Sequence, residues 1–479
     1  MAAKADRQQK KDGLGATISR GVRGFGHAVS SFFKEIGAAF SQGDWRTRTS
    51  FIIMGFGCFT RKQFVKGLIY FAVEVLFILY MVFFGAHYLQ DIGTLGTNLF
   101  DREWDEANQI WINIPGDNSM LILLYSVLSI FLCIFFLVIY FSNIRAAWQA
   151  QQMQTAGKKL PNFKKSLLGL LDEKLHVTLL TPPAIGVLMF TVLPVVFMIC
   201  LAFTNFDRNH QPPGHLFTWV GLDNFKDIFG GNQLKSYTFF SLLLWTVIWA
   251  IFSTFINYFL GMLIALMINK KGIKLKGLWR TLFVVSIAVP AFVTLLLMRN
   301  MLQDAGTINV LLQDVLGWTD APIHFLTDGT LARITVIIVN YWIGIPYSII
   351  ITSGILMNIP ADLYESARID GAGPWKQFTR ITTPYMLFIT TPYLITQFIQ
   401  NFNNFNAIYF LTAGGPQTLA YYQAGSTDLL VTWLYKLTVQ WQDYNLASTI
   451  GILVFVICAV ISLATFNLTA SAKREETFQ

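Results

Sequence analysis

Eight apolar stretches, each long enough to cross the ~30 Å hydrocarbon core of a bilayer as a helix, leave this chain few alternatives. They run over about 66–88, 119–143, 178–204, 236–268, 278–303, 331–356, 384–411 and 447–469. In hydrocarbon every backbone polar group must find its partner within the protein, so runs of this length fold as helices. The expected fold class is an all-α integral membrane protein with eight transmembrane helices. Composition agrees: 54% of the 479 residues are hydrophobic and 13% are charged, against about 25% charged in a soluble domain. The fourth run exceeds what a bilayer needs and predicts a tilted or protruding helix. Pro182, Pro183 and Pro194 predict a kinked third helix relieved by its neighbours. Residues 51–65 are apolar but contain Arg61 and Lys62, which predicts a surface segment rather than a span.

Charge fixes the expected orientation. With the N-terminus placed in the cytoplasm, 28 of the 35 Lys and Arg fall in cytoplasmic segments. The opposite orientation inverts that ratio, so both termini and the loop 357–383 are expected inside. The first outer loop is acidic, with Asp101, Glu103, Asp105 and Glu106. This distribution also accounts for the net charge of +8 without nucleic acid. No signal peptide is expected, because residues 1–50 are basic and lack an apolar core of adequate length. Cys58, Cys133, Cys200 and Cys458 lie in or beside apolar runs without metal-ligand spacing, and read as small buried hydrophobes.

What is missing bears on chemistry. The chain has no G-x-x-x-x-G-K-[ST] and no H-E-x-x-H. It is expected to bind no ATP through a P-loop, to carry no cofactor and to be no enzyme by itself. Ionisable groups within the spans are few: Glu74 in the first, with Arg299 and Arg333 near span ends. An ion-coupled secondary transporter would need several buried carboxylates. Glu74 could be a proton site or simply a paired group.

Two spans carry amides. Asn340, Gly344 and Tyr347 in the sixth span, and Gln397, Asn401 and Asn404 in the seventh, stand at i, i+4 and i+7 and so share a helix face. Ile343 and Gln400 neighbour them. Amides are costly in hydrocarbon unless paired. They either glue helices together or line a polar path. Neutral amides mixed with aromatic rings suit a neutral polyhydroxyl ligand and suit an ion poorly.

The loop at 360–384 is the other candidate. Pro360 and Asp362 can start a short helix that runs to Asp370. Gly371-Ala372-Gly373-Pro374 breaks it, and a second short helix can run from Trp375 until Pro384. Leu363 and Ala367 share a face, while Ala367, Gly371 and Ala372 are small enough for close approach. Glu365, Arg368 and Asp370 supply charge. The segment could lie on lipid or grip a partner.

This loop closely resembles the EAA loop of the membrane subunits of bacterial ABC importers, roughly E-A-A-x-x-D-G-A, a spacer with Phe, then I-x-L-P. Glu365, Ala367, Asp370, Gly371, Ala372, Phe378, Ile381 and Pro384 match in spacing, with Ser366 and Thr383 replacing the usual Ala and Leu. The strings N-x-W-x-G-x-P-Y (340–347), N-F-N-N-F (401–405) and L-T-A-G-G-P (411–416), followed by Ala424-Gly425-Ser426-Thr427-Asp428, look like the MalF-type maltose/maltodextrin permeases. That likeness covers the chain from about residue 178 onward. The resemblance implies a six-helix permease core over 178–470, with the coupling loop at 360–384. Ahead of it lie a basic cytoplasmic or interfacial segment (1–65), two accessory helices (66–143) and a cytoplasmic linker (144–177) with Lys158, Lys159, Lys164 and Lys165; a tail follows (471–479).

The resemblance further implies that Asn340, Gly344, Tyr347, Asn401 and Asn404 line a sugar site, with Ile343, Gln397 and Gln400 beside them. Glu365, Ser366, Ala367, Asp370, Gly371, Ala372, Phe378, Ile381 and Pro384 would form the docking element for an ATPase. Implied partners are a homologous MalG-type permease, two copies of a cytoplasmic ABC ATPase that holds ATP and Mg, an extracellular sugar-binding protein, an oligosaccharide, and the lipid bilayer of a bacterial cell membrane. Gln400 stands where better-known relatives have an aromatic. Ile287 and Ala291 flank Val289-Pro290, where polar groups are expected. The loop 205–235 is short where some relatives carry an extra domain.

Overall fold

The computed structural model describes residues 30–468, apart from 106–107, 115, 162–167, 170, 173–174, 213 and 271. Expectations for residues 1–29, Glu106, Lys164, Lys165 and the tail 471–479 lie outside the described residues. The chain forms two compact units, one running to Trp219 and the other starting at Val220.

Among the described residues six helices are long and apolar enough to cross a membrane: Phe64–Asp91, Ser119–Thr155, Leu175–Leu201, Gln233–Asn269, Gly329–Leu356 and Tyr444–Thr465. A seventh span arises if Lys276–Ala288 and Ala291–Met301, bent by 86° at their junction, count as one. Six or seven spans are counted among the described residues where eight were expected, and two of the expected runs are broken. The fifth run breaks because Pro290 has no N–H to donate and holds Val289 out of the α region, at ψ 124°. The seventh stops at Phe402 and restarts as Phe405–Thr412, because the Asn404 side chain caps the new helix through the Ala407 N–H.

In the first unit, the second span is helical well past the expected limit at residue 143. Its 37 residues reach about 55 Å. Its polar end is a scaffold for residues 44–63, which fold back as short helical turns, Trp45–Thr49 and Phe56–Phe59. Buried Asn143 accepts from Gly55 N at 2.8 Å and donates to the Ser50 carbonyl at 3.0 Å. Residues 51–63 form no span among the described residues, and within the segment the Arg61 side chain is buried. Its guanidinium donates to Asp44 Oδ1 (2.6 Å), the Gly57 carbonyl (2.9 Å) and Thr47 Oγ1 (2.9 Å). Glu74 is a paired group in this structure: its carboxylate accepts from Met54 N at 2.8 Å. Between the first two spans, strands β1 (Asp101–Asp105) and β2 (Ile110–Ile114) form an antiparallel hairpin with Trp104 opposite Trp111.

In the second unit, Gln233–Asn269 packs along Gly329–Leu356. Trp433, Phe402, Leu242 and Ile450 fill one buried cluster; Trp249, Val336, Ile408 and Leu411 fill a second. The loop 413–429 is held by a desolvated ion pair: Lys436 Nζ lies 2.6 Å from Asp428 Oδ2, with side chains 4% and 0% exposed. Asp428 also accepts from the Gly425 N–H and the Thr432 hydroxyl.

Candidate translocation site and coupling loop

The loop after the sixth span forms a helix, Ala361–Ile369, with Asp362 in its first turn. The helix closes on Gly371, which adopts φ +74°. Gly371 N donates to the Arg368 carbonyl (3.0 Å) and Ala372 N to the Ala367 carbonyl (2.8 Å), the paired bonds of a Schellman end. The chain then re-enters helix at Pro374. It does not stop at Pro384 as expected. Pro374–Gln377, a π-turn over Phe378–Thr382 and Thr383–Phe402 are continuous. Pro384 falls in the first turn of Thr383–Phe402, directly after the π-turn, where the wider bonding pattern dispenses with its missing N–H.

The nine loop residues separate into two roles. Phe378 and Ile381 face inward, packed with Tyr364 and Tyr385 around Tyr258, Met262, Ile359 and Met386. The Tyr364 hydroxyl meets Thr382 Oγ1 at 2.9 Å and ties the first short helix to the second. Glu365, Ser366, Asp370, Gly371 and Pro384 are exposed, with Ala367 and Ala372 half-buried. Two apolar side chains that the motif does not mark stand furthest out: Ile369 is 87% exposed and Trp375 74%. Both stand on a loop otherwise rich in charge.

The amide-bearing residues separate as well. Gly329–Leu356 runs unbroken through Pro346, so Asn340, Gly344 and Tyr347 do share a face. Asn340 is buried and Tyr347 exposed. Gly344 lets the fourth span approach: a Cβ there would lie 2.7 Å from Asn257 Cγ and 2.9 Å from its Oδ1. On the seventh span the expected shared face is corrected. Gln397 and Asn401 lie on one helix, but Asn404 lies beyond its end at Phe402. Gln397 Nε2 donates to Gln400 Oε1 at 2.9 Å. Asn401 Nδ2 donates to Thr254 Oγ1 at 3.0 Å. Thus Asn401 and Asn404 satisfy protein groups, while Gln400 is exposed.

A pocket opens where the fifth span breaks, lined by Ser286, Ile287, Val289, Ala291, Thr294, Trp342, Ile343 and Tyr347. It joins Ile343 and Tyr347 to the break. Pro346 cannot donate, so the Trp342 carbonyl beside this pocket has no intrahelical donor. Ser286 and Thr294 supply the polar groups that Ile287 and Ala291 lack. The sequence signal for them is Val289-Pro290 inside an apolar run. Ser253, Thr254 and Asn257 on the fourth span are buried polar groups that helical spacing alone did not single out. They sit at or next to a π-turn, Phe252–Ile256, a distortion frequent at functional positions. Ser253 Oγ and Asn257 Oδ1 are buried without a protein partner. Among the described residues no group of three or more His, Cys, Asp or Glu could hold a metal ion.

Residues 257–473 match the family described as the binding-protein-dependent transport system inner membrane component. A galactooligosaccharide transport system permease protein, GanP of Bacillus subtilis, is 35% identical over 427 residues, 88% of this chain and 97% of that protein. A maltodextrin transport system permease protein, MalC of Streptococcus pneumoniae, is 35% identical over 425 residues, 87% and 94% of the two chains. The crystal structure of a bacterial ABC transporter involved in alginate import superposes with a TM-score of 0.51 at 24% identity, covering 62% of this chain and 96% of that one, and shows the same fold. The chain therefore belongs to the binding-protein-dependent transport permeases, in their MalF-type sugar branch. It is a multi-pass membrane permease subunit of a sugar ABC importer, a class whose ATPase activity resides in a separate subunit.

Proposed function

We propose that this chain forms half of the translocation path for maltodextrin-type oligosaccharides, paired with a second, homologous permease. Two copies of an ABC ATPase, holding ATP and Mg, would dock on 360–384, and an extracellular sugar-binding protein would deliver the substrate. Both termini would be cytoplasmic, as would residues 144–177, with 178–470 as the permease core. The observation that carries the reading is the Schellman-ended elbow itself. It is braced inward by Phe378, Ile381 and the Tyr364–Thr382 bond, and it presents Ile369 and Trp375 outward. A braced elbow transmits a push as a rigid lever, so closure of the ATPase dimer would move the seventh span directly through the continuous helix 374–402. The path would then alternate between outward and inward access.

The sugar would sit against Tyr347, Ile343 and Gln400, with Asn340, Gly344, Gln397, Asn401 and Asn404 shaping the wall. Aromatic faces and neutral amides fit a polyhydroxyl chain. The galactooligosaccharide relative, matched along nearly its whole length, supports a second reading with that substrate. Competition of labelled maltotriose uptake by unlabelled maltodextrins and by galactooligosaccharides separates the two. The first reading expects competition by maltodextrins at the lower concentration; the reverse order replaces it with the second. A cysteine at Ile369 should cross-link to the ATPase subunit, and absence of any cross-link there would remove the docking surface.

A further inference from the structure

We infer that residues 30–66 form an anionic-lipid clasp, built onto the polar end of the second span and continuous with the lipid-facing side of the first. The segment is not a loose surface stretch. Asn143 bonds to both Gly55 and Ser50, Gln151 Oε1 accepts from Asp44 N at 3.0 Å and from the Thr47 hydroxyl at 2.7 Å, and Arg61 is buried against Asp44. Ala39, Ile144 and Trp148 form a small core beneath it. A segment so firmly held nevertheless exposes Phe40, Trp45, Ile52, Phe59 and Phe64.

The patch has one occupant that fits its position. The Phe59 and Phe64 rings lie 5.1 Å apart, and Phe64 opens the first span. Val65, Leu68 and Ile69 on that span are exposed in turn, so the apolar surface of the clasp runs on into the surface that faces lipid acyl chains. Charge identifies the headgroup. Residues 30–66 contain Lys34, Arg46, Arg48, Arg61, Lys62 and Lys66 against only Glu35 and Asp44. Both acids are engaged, Glu35 by Arg145 at 2.8 Å and Asp44 by Arg61 at 2.6 Å. Arg48 and Lys62 are exposed, and the Arg46 guanidinium lies 5.6 Å from the Trp45 ring centroid. Apolar aromatics flanked by uncompensated cations bind the interface of an anionic bilayer, each cation adding to the attraction. The Asp44–Arg61 pair ties the turn that carries Arg46 and Arg48 to the one that carries Lys62.

The inference is independent of which sugar is carried, and its test needs no transport. The full-length chain would be reconstituted in nanodiscs of mixed phosphatidylcholine and phosphatidylglycerol, and the lipids retained after extraction counted by native mass spectrometry. The clasp predicts preferential retention of phosphatidylglycerol. R46Q/R48Q/K62Q should reduce that preference on the order of a hundredfold, at about 1 kcal/mol for each cation removed, with the protein still folded in pure phosphatidylcholine. K226Q, on an exposed lysine outside residues 30–66, should leave retention as it was. Equal retention of the two lipids by the unaltered chain overturns the inference. So does a triple variant that keeps its preference while folded. If the triple variant unfolds in phosphatidylcholine, R46K/R48K compared with the single K62Q decides: the charge-retaining lysines must hold the preference and K62Q, on an exposed lysine, must lower it.

Discussion

Gly371 sits at φ +74°, where a Cβ costs about 1 kcal/mol. Gly371→Val should leave the spans folded but disturb the Ala367–Ala372 closure, so that ATP-driven uptake falls at least about tenfold while the unfolding midpoint moves by only a few degrees. The ion pair of Asp428 and Lys436 acts in the opposite sense. Lys436→Met strands a carboxylate with no exposed surface, and the expected cost is about 3–5 kcal/mol of stability, read as a lowered midpoint. Asp428→Leu with Lys436→Met removes both charges and should recover most of it. At Asp44, burial favours the neutral acid, but the Thr47 N–H and hydroxyl and Arg61 outweigh it and hold the carboxyl below its ordinary range. A depressed carboxyl stabilises the fold above the pKa of the unfolded chain, and that contribution is lost as pH falls through the folded value. The midpoint should therefore drop more below about pH 4 in the unaltered chain than in Asp44→Asn.

At the level of elements, most of the spans are legible because hydrocarbon imposes a length and forbids unpaired backbone. The breaks are less so. The run 278–303 is apolar on both sides of Pro290, and nothing in its hydrophobicity separates a kink from a bend of 86°. At the end of the seventh span two signals compete. Spacing puts Asn404 on the face of Gln397 and Asn401, whereas an Asn just ahead of Phe405-Asn406-Ala407-Ile408 is also a helix start, and the cap prevails. The burial of Arg61 was not legible in sequence, because its partners, Asp44 and Thr47, lie on another turn of the fold. The helix–Gly–helix pattern of 360–384 was legible, but Ile369 and Trp375 gain their prominence only once the elbow is folded. Pro290→Ala restores a backbone donor at the break. It should let the fifth span straighten, close the pocket lined by Ser286 and Tyr347, and lower sugar affinity with stability unchanged or raised, as measured by uptake KM and thermal unfolding.

Taken together, the unit that starts at Val220 holds the elbow, the broken fifth span and the amides, and the unit ending at Trp219 holds the hairpin and the segment around Arg61. We propose that transport is driven from outside this chain, through 360–384. The direct measurement is uptake of labelled maltodextrin into vesicles containing this chain, its permease partner, the binding protein and the ATPase, with and without ATP. Uptake should require ATP and the ATPase and should collapse on replacement of Glu365 or Gly371. Uptake sustained by an ion gradient with the ATPase absent would contradict it.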